Sequence, residues 1–327
     1  MKRRSGRFPL SLLSLASSLV LAGPSPSGQA PAATSPPAEL HYSTEVPFTS
    51  CDDGLVCIAV PVENGRSLTF VIDTGNVASY IAAEAAQELG WPLRALTNKD
   101  GTPIEGLQRT DEQTLHVGSA ALNIRMLAFP RARMGAPNHK VVFDGGIVFT
   151  VLKDRALQID YPHHVLRLTD VLTDTQDSPL PGTLSTVRFG AQGPAILTGA
   201  PFLLNGQALQ AQIDTCFTGT MVIYDAALEQ LHLGAIAGKG KPRYFPNTDG
   251  GVTMLGNRAE SIGFGGHGLG DIRPMIYFPT KGVHQPDGHF EATIGNELLL
   301  HSVLTLDLHH MTFDVRTTVP ASPASSG

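Results

Sequence analysis

The chain is short of charge, aromatic rings and cysteine: of its 327 residues, 16% are Asp, Glu, Lys or Arg and 6% are Phe, Trp or Tyr, with a single Trp and three Cys. Three cysteines cannot staple together a fold that lacks a core, and 42% hydrophobic residues supply enough for two ordinary domains or one large one. Basic residues are scarcer than acidic ones. The net charge is −6, and because Lys2, Arg3, Arg4 and Arg7 precede the first acid, the chain beyond residue 32 stands near −10. Nucleic acid and anionic lipid are poor partners for such a surface. No HExxH or CxxC spacing occurs, which removes the usual ground for zinc, and neither a metal nor a cofactor is expected. The Gly-rich GFGGHGLG at 263 to 270 follows no phosphate-binding or dinucleotide pattern and reads as a turn.

The N-terminal stretch MKRRSGRFPLSLLSLASSLVLAG has a basic head, an apolar run and then small residues. That is the layout of a secretory signal peptide, and the run is short and rich in Ser for a membrane span. Export to the periplasm or beyond is expected, with cleavage between Ala22 and Ala33 and no stable membrane insertion afterwards. A Pro/Ala/Ser segment to about residue 38 and the tail 319–327 read as disordered. In an oxidising compartment Cys51 and Cys57 of CDDGLVC can close a small disulfide loop, two buried thiols being the other reading. Cys216 is then the odd one.

Plentiful Gly and Pro, 34 and 24 residues, with short runs of Val, Ile, Leu and Thr point to an all-β fold with short helices. The chain also repeats itself. LHVGSAALNIRMLAF at 115 to 129 matches IGFGGHGLGDIRPMIYF at 262 to 278, and LQIDYPHHVLRL at 157 to 168 matches LTLDLHHMTFDV at 304 to 315. Gly118 falls on Gly265 and Asp160 on Asp307, 147 positions apart in both blocks, which indicates a duplicated unit. The units are expected at 45–173 and 184–318, with a polar, Pro-rich boundary at 174 to 183. Each opens with two strands around an Asn-Gly turn, at Asn64-Gly65 and Asn205-Gly206. A short helix follows, ended by Gly90 or Gly234, and then a hairpin tip, at 98 to 103 or 247 to 252.

The opening strands end on VIDTGNVASYI in the first unit and QIDTCFTGTMVI in the second. Asp73 and Asp214 thus occupy equivalent strand ends. Facing each other at about 4 Å in an effective dielectric near 20, two carboxylates repel by roughly 4 kcal/mol, equivalent to about three pKa units. One then stays protonated while the other acts as a base, an arrangement that can deprotonate water and protonate a carbonyl or a leaving nitrogen. The alternative reading is two Asp-Thr turns that merely cap strands.

VIDTGNVASYI, the downstream IGNEL at 294 to 298 and the closing LTLDL resemble the aspartyl proteases of the retropepsin and pepsin group, especially bacterial retropepsin-like proteins with two such units in one chain. The likeness covers about 50 to 318. It implies a bilobal pepsin-like acid protease fold made of two duplicated retropepsin-like β-barrel lobes, acting as an exported aspartic endopeptidase on peptide or protein, as a monomer. It makes Asp73 and Asp214 the catalytic pair, with Thr74 and Thr215 tying the two loops together and Gly75 letting the backbone turn beneath the carboxylates. Asp100, Gly101 and Thr102 become the tip of a flap, whose other reading is an ordinary exposed turn. Two departures stand out. Cys216 replaces the second Gly, where a Cβ is expected to strain a left-handed backbone or shift Asp214, and Val148 takes the place that Gly295 holds in the second unit. The alternative function is a non-catalytic cleft, crippled at Cys216, that binds peptide or another ligand. His163-His164 and His309-His310 are expected as exposed turn residues, and Asp160 and Asp307 as structural hydrogen-bonding groups.

Overall fold

The computed structural model describes residues 40–51, 54–134, 141–174, 178, 180–188, 195–245, 251–271, 273–280 and 290–318. The signal-like segment, its cleavage region, the Pro/Ala/Ser stretch through residue 39, the tail 319–327 and residues 247–250 of the second hairpin tip lie outside the described residues.

The fold is all-β with a few short helices. The first half runs through β1 (Tyr42–Pro47), β2 (Thr49–Cys51), β3 (Leu55–Pro61), β4 (Ser67–Asp73), β5 (Tyr80–Ala82), α1 (Ala83–Glu88), β6 (Leu93–Thr97) and β7 (Pro103–Thr110). It continues with β8 (Gln113–Val117), β9 (Ala120–Ile124), β10 (Leu127–Phe129), β11 (Gly145–Val148), β12 (Ala156–Asp160) and β13 (Val165–Thr169). The second half begins with β14 (Gly182–Arg188), β15 (Ala195–Leu204), β16 (Gln207–Asp214), β17 (Met221–Ile223), α2 (Asp225–Leu228), α3 (Gly234–Ala237), β18 (Lys241–Phe245) and β19 (Val252–Arg258). It ends with β20 (Ile262–Phe264), β21 (His267–Gly268), β22 (Met275–Pro279), β23 (Ala292–Gly295), α4 (Asn296–Leu299), β24 (Ser302–Asp307) and β25 (Thr312–Thr317). Strands buried on both faces, such as β3 and β4, read as near-continuous apolar runs, while β9 alternates buried and exposed residues as one-sided strands do.

Strand order is the same in both halves. β3, β4, β11, β5, β10, β7 and β6 lie side by side in the first, and β15, β16, β23, β17, β22, β19 and β18 in the second. The sense agrees at every step: β4 runs parallel to β11 and β16 to β23, β5 runs parallel to β10 and β17 to β22, and the remaining neighbours are antiparallel. The turns that join β8 to β9 and β20 to β21 each begin on a glycine with φ of 58°, Gly118 and Gly265, a left-handed conformation that glycine adopts without steric cost. Asn205 and Gly206 turn β15 into β16 with φ of 49° and 78°, the Asn-Gly hairpin geometry that suits twisted strands.

An antiparallel path, β1-β13-β12-β24-β25-β14, continues the second-half sheet and joins the halves through β12–β24. At its centre Gln158 of β12 stands opposite Thr305 of β24, the residue 147 positions on, and donates from Nε2 to its Oγ1 at 3.2 Å. Apolar residues of both halves belong to one buried cluster; in the second half Phe202, Phe264 and Phe313 pack with ring centroids 4.6 to 5.6 Å apart. Burying three such rings is worth roughly 2 to 3 kcal/mol each.

Two local expectations are corrected. The second helical segment is not ended by Gly234, which starts α3 instead. There Leu233 N–H bonds to Leu228 O and His232 N–H to Glu229 O, with His232 at φ 54°. In the first half Trp91 N–H bonds to Ala86 O and Gly90 N–H to Gln87 O, with Gly90 at φ 69°. Both are the same helix-ending motif, and a histidine takes the left-handed position that glycine usually fills. His309 and His310 are half-buried rather than exposed, because Asp307 accepts from both backbone N–H groups and from His310 Nδ1 at 2.8 Å. Asp160 holds His163 in the same way at 2.8 Å.

Candidate active site

Asp73 ends β4 and Asp214 ends β16. Beside each runs a parallel strand, with Val148 of β11 in register with Asp73 and Gly295 of β23 in register with Asp214. Glycine is required in the second case, since a Cβ on residue 295 would overlap the carbonyls of Phe217 and Gly219. In the first half the loop is held instead by a side chain: Val148 N–H donates to Ser79 Oγ at 3.3 Å.

The two strand ends meet through their threonines, which are almost fully buried. Thr74 N–H donates to Thr215 Oγ1 and Thr215 N–H to Thr74 Oγ1, both at 3.1 Å. Each hydroxyl then donates across the junction, Thr74 to the carbonyl of Ile213 at 2.7 Å and Thr215 to that of Ile72. Every member of this set maps onto its equivalent in the other half.

The carboxyls above this junction are held less evenly. Gly75 N–H donates to Asp73 Oδ1 at 3.1 Å, and Cys216 N–H makes the matching bond to Asp214 Oδ1 at 2.8 Å, joined by Phe217 N–H at 3.0 Å. Asp73 receives in addition the hydroxyl of Tyr80, at 3.1 Å from Oδ2. Gly75 is needed for contact: a Cβ there would sit within the Asp214 carboxyl group. Neither Gly75 nor Cys216 has a left-handed backbone, so the strain expected from Cys216 is absent. The Cys216 thiol lies 3.9 Å from the Ile72 carbonyl and within hydrogen-bonding reach of Asp73.

Burial sets the electrostatics. It raises the pKa of Asp214, with the Asp73 charge adding to the effect and the Cys216 and Phe217 N–H groups opposing it, to about 7. Asp73 is also raised by burial, against hydrogen bonds from Tyr80, Gly75, Cys216 and Asn76 that favour its charged form. Burial and the neighbouring carboxylates push both the Tyr80 hydroxyl and the Cys216 thiol far up, so both remain protonated donors.

Further residues brace the second loop. Asn296, the first residue of α4, donates from Nδ2 to Thr215 O at 2.7 Å and to Gly54 O at 3.1 Å, and its Oδ1 accepts the Tyr161 hydroxyl at 2.5 Å. Gly54 lies in the loop closed by the Cys51–Cys57 disulfide, whose Cα atoms are 5.9 Å apart. Gln212 bonds to Gly75 O at 3.0 Å. Asp100, Gly101 and Thr102 form the exposed tip between β6 and β7, where Asp100 Oδ1 accepts from Thr102 N–H at 2.9 Å and from its hydroxyl. On the second-half side, Phe217 packs on Phe245 at 5.1 Å and Phe245 on Tyr277 at 4.8 Å, with Arg243 over both rings. A groove of about 460 Å³ lies between α1 and β7. Its lining does not include the two Asp residues, but it does include Phe129, which stacks on Tyr80.

Tyr80, Asn296, Gln212 and Tyr161 were not singled out from the sequence. Tyr80 alone had a readable signal, since it opens β5 seven residues after Asp73 where Met221 opens β17 seven after Asp214. Among the described residues no cluster of three His, Cys, Asp or Glu side chains could hold a metal, and no helix is long and apolar enough to cross a membrane. No family model matches the chain, and no curated protein matches its sequence.

Proposed function

We propose that the chain is an exported aspartic endopeptidase, built as a pepsin-like pair of duplicated retropepsin-like lobes, that hydrolyses peptide bonds with water activated between Asp73 and Asp214. The observation that carries this reading is the reciprocal hydrogen bonding of Thr74 and Thr215, which ties two buried Asp-bearing strand ends together. Groups that only capped their own strands would not need partners in the other half of the chain.

The chemistry follows from the unequal protonation that proximity imposes. The ionised carboxylate takes a proton from water as the oxygen attacks the scissile carbonyl carbon, while the protonated carboxyl gives its proton to the carbonyl oxygen. The resulting tetrahedral diol collapses as its C–N bond breaks, with a proton passing to the leaving nitrogen. An extended peptide between the two halves is the proposed substrate, and the hairpin tip at Asp100, Gly101 and Thr102 the proposed flap over it. Both half-sites lie in one chain, so a monomer suffices. The Cys51–Cys57 bond accords with an oxidising compartment.

Cleavage of a broad peptide library across pH 3 to 7 tests the proposal, with Asp73→Asn and Asp214→Asn as controls. Cleavage by the wild type that both variants lose is the expected result. Failure of the wild type to cut any peptide, or activity that survives both substitutions, removes the peptidase reading and leaves a cleft that binds without cutting.

A further inference from the structure

The two halves are matched in topology and in the Thr74/Thr215 exchange, so the contacts they do not share are the ones that can make the two carboxyls differ. One such contact reaches a carboxyl oxygen through a side chain that has no counterpart. Tyr80 donates to Asp73 Oδ2 at 3.1 Å, while the equivalent Met221 has no donor to offer Asp214. The Tyr80 ring is seated in a prepared slot. Gly146 lies against it, where a Cβ would overlap the ring, and Phe129 stacks on it at 5.8 Å with an interplanar angle of 25°. Backbone pairing of Tyr80 with Gly146 of β11 and Leu127 of β10 fixes the strand that carries it.

We propose that Tyr80 is the positioning residue that breaks the symmetry of the pair, holding Asp73 as the ionised, water-activating carboxylate and leaving the proton on Asp214. This rests on the endopeptidase reading. A hydroxyl donor stabilises a carboxylate more than it stabilises a carboxylic acid, and a buried hydroxyl that stays protonated can only serve as a donor to a charged partner. The other groups facing Asp73 are Gly75 N–H, Asn76, the Cys216 thiol and Asp214 itself. Gly75 N–H has its equal in Cys216 N–H on Asp214, and the thiol, being protonated, also favours charge on Asp73. Around Asp214 stand Asp73, the N–H groups of Cys216 and Phe217, and, further off, the hydroxyls of Tyr80, Tyr161 and Tyr224. None of these tyrosines is hydrogen-bonded to Asp214: Tyr161 is committed to Asn296 and Tyr224 to Thr293. The side-chain donors therefore converge on one carboxyl only.

The test is a carbon-13 titration of the Asp side-chain carboxyls in the whole protein, with Asp73→Asn and Asp214→Asn assigning the two signals, followed in wild type and in Tyr80→Phe. The pair should titrate in two steps, the lower centred on Asp73, and Tyr80→Phe should raise the lower step by roughly one unit, the worth of one hydrogen bond to a charged group. The acidic limb of the rate profile should move up with it, so that activity on that limb falls about tenfold while the fold is kept. A lower step that stays where it was, or that belongs to Asp214, overturns the assignment. If Tyr80→Phe does not fold, the wild-type hydroxyl proton of Tyr80 decides: its resonance should move with the lower step, and movement with the upper step alone rejects the proposal. The titration needs no turnover, so an absence of cleavage would overturn the peptidase reading without touching the result for Tyr80.

Discussion

Gly75 and Asp214, 139 residues apart, are packed so closely that a methyl group on the glycine would occupy the space of the carboxyl. The glycine is therefore held by contact across the two halves and not by its own backbone angle. Gly75→Ala should turn the Asp214 side chain away from its Cys216 and Phe217 donors and lower peptide cleavage by at least a hundredfold. Because the nearest atoms to such a methyl all belong to the Asp214 carboxyl, stability should be non-additive: in the cycle Gly75→Ala with Asp214→Ala, the second substitution should recover more than 1 kcal/mol of what the first costs. Urea unfolding of the four proteins measures this, and additive losses would show that the glycine serves another purpose.

The raised pKa of Asp214 has a consequence for stability with a definite sign. The folded protein keeps a proton on this carboxyl up to about pH 7, whereas the unfolded chain releases it near pH 4. Over that window the unfolded state binds fewer protons, so stability falls as pH rises, by an amount on the order of a few kcal/mol for a fully buried group. Asp214→Asn removes the ionisation and should be more stabilising, relative to wild type, at pH 8 than at pH 4. Thermal unfolding at the two values checks it; an offset that does not change with pH would mean that Asp214 ionises freely in the folded protein.

The Cys51–Cys57 bond reaches the site through one side chain, since Gly54 inside its loop offers the carbonyl that Asn296 also bonds while holding Thr215. Closing so short a loop is worth about 2 kcal/mol by chain entropy. The double substitution Cys51→Ala, Cys57→Ala should cost roughly that stability and reduce cleavage only a few-fold. Asn296→Ala should do more harm to activity, because it leaves Thr215 O, Gly54 O and the Tyr161 hydroxyl without their partner. Equal losses of activity from the two would place the effect in the disulfide loop rather than in the Asp214 strand end.

Much of the frame was legible because its signals are local. Apolar stretches on either side of an Asn-Gly pair marked β3 and β4 at Asn64-Gly65 and the β15–β16 hairpin at Asn205-Gly206. The shared spacing of 147 paired Gly118 with Gly265, which have the same φ. The same spacing makes Gln158 the equivalent of Thr305, but that the two stand opposite each other in the sheet was not legible, since no local pattern holds it. What was not legible depends on how distant segments approach. Cys216 was expected to strain the backbone, yet its backbone is not left-handed. Gly295 is fixed by the carbonyls of Phe217 and Gly219, which come from another segment, and Tyr80 reaches Asp73 because Gly146 leaves a slot for its ring. Gly234 misled because His232, two residues earlier, accepts the left-handed conformation and ends the helical turn.

The threonine exchange can be separated into its hydroxyl and its methyl. Thr74 Oγ1 accepts from Thr215 N–H and donates to Ile213 O, and the residue is 1% exposed. Thr74→Val keeps the shape but strands both backbone groups. At roughly 1 to 3 kcal/mol for each unsatisfied buried group, the total loss should be about 3 kcal/mol or more. Thr74→Ser keeps both bonds and removes one methyl, a loss of about 1 kcal/mol. Cleavage should follow the hydroxyl and not the methyl, surviving in the Ser variant within a few-fold and falling at least a hundredfold in the Val variant, because the strand end that carries Asp73 is then no longer tied to that of Asp214. Denaturant unfolding and peptide cleavage on the same two proteins give both readings. A Val variant as stable and as active as the Ser variant would mean that the two halves are held together elsewhere, with the central β12–β24 pairing the first place to look.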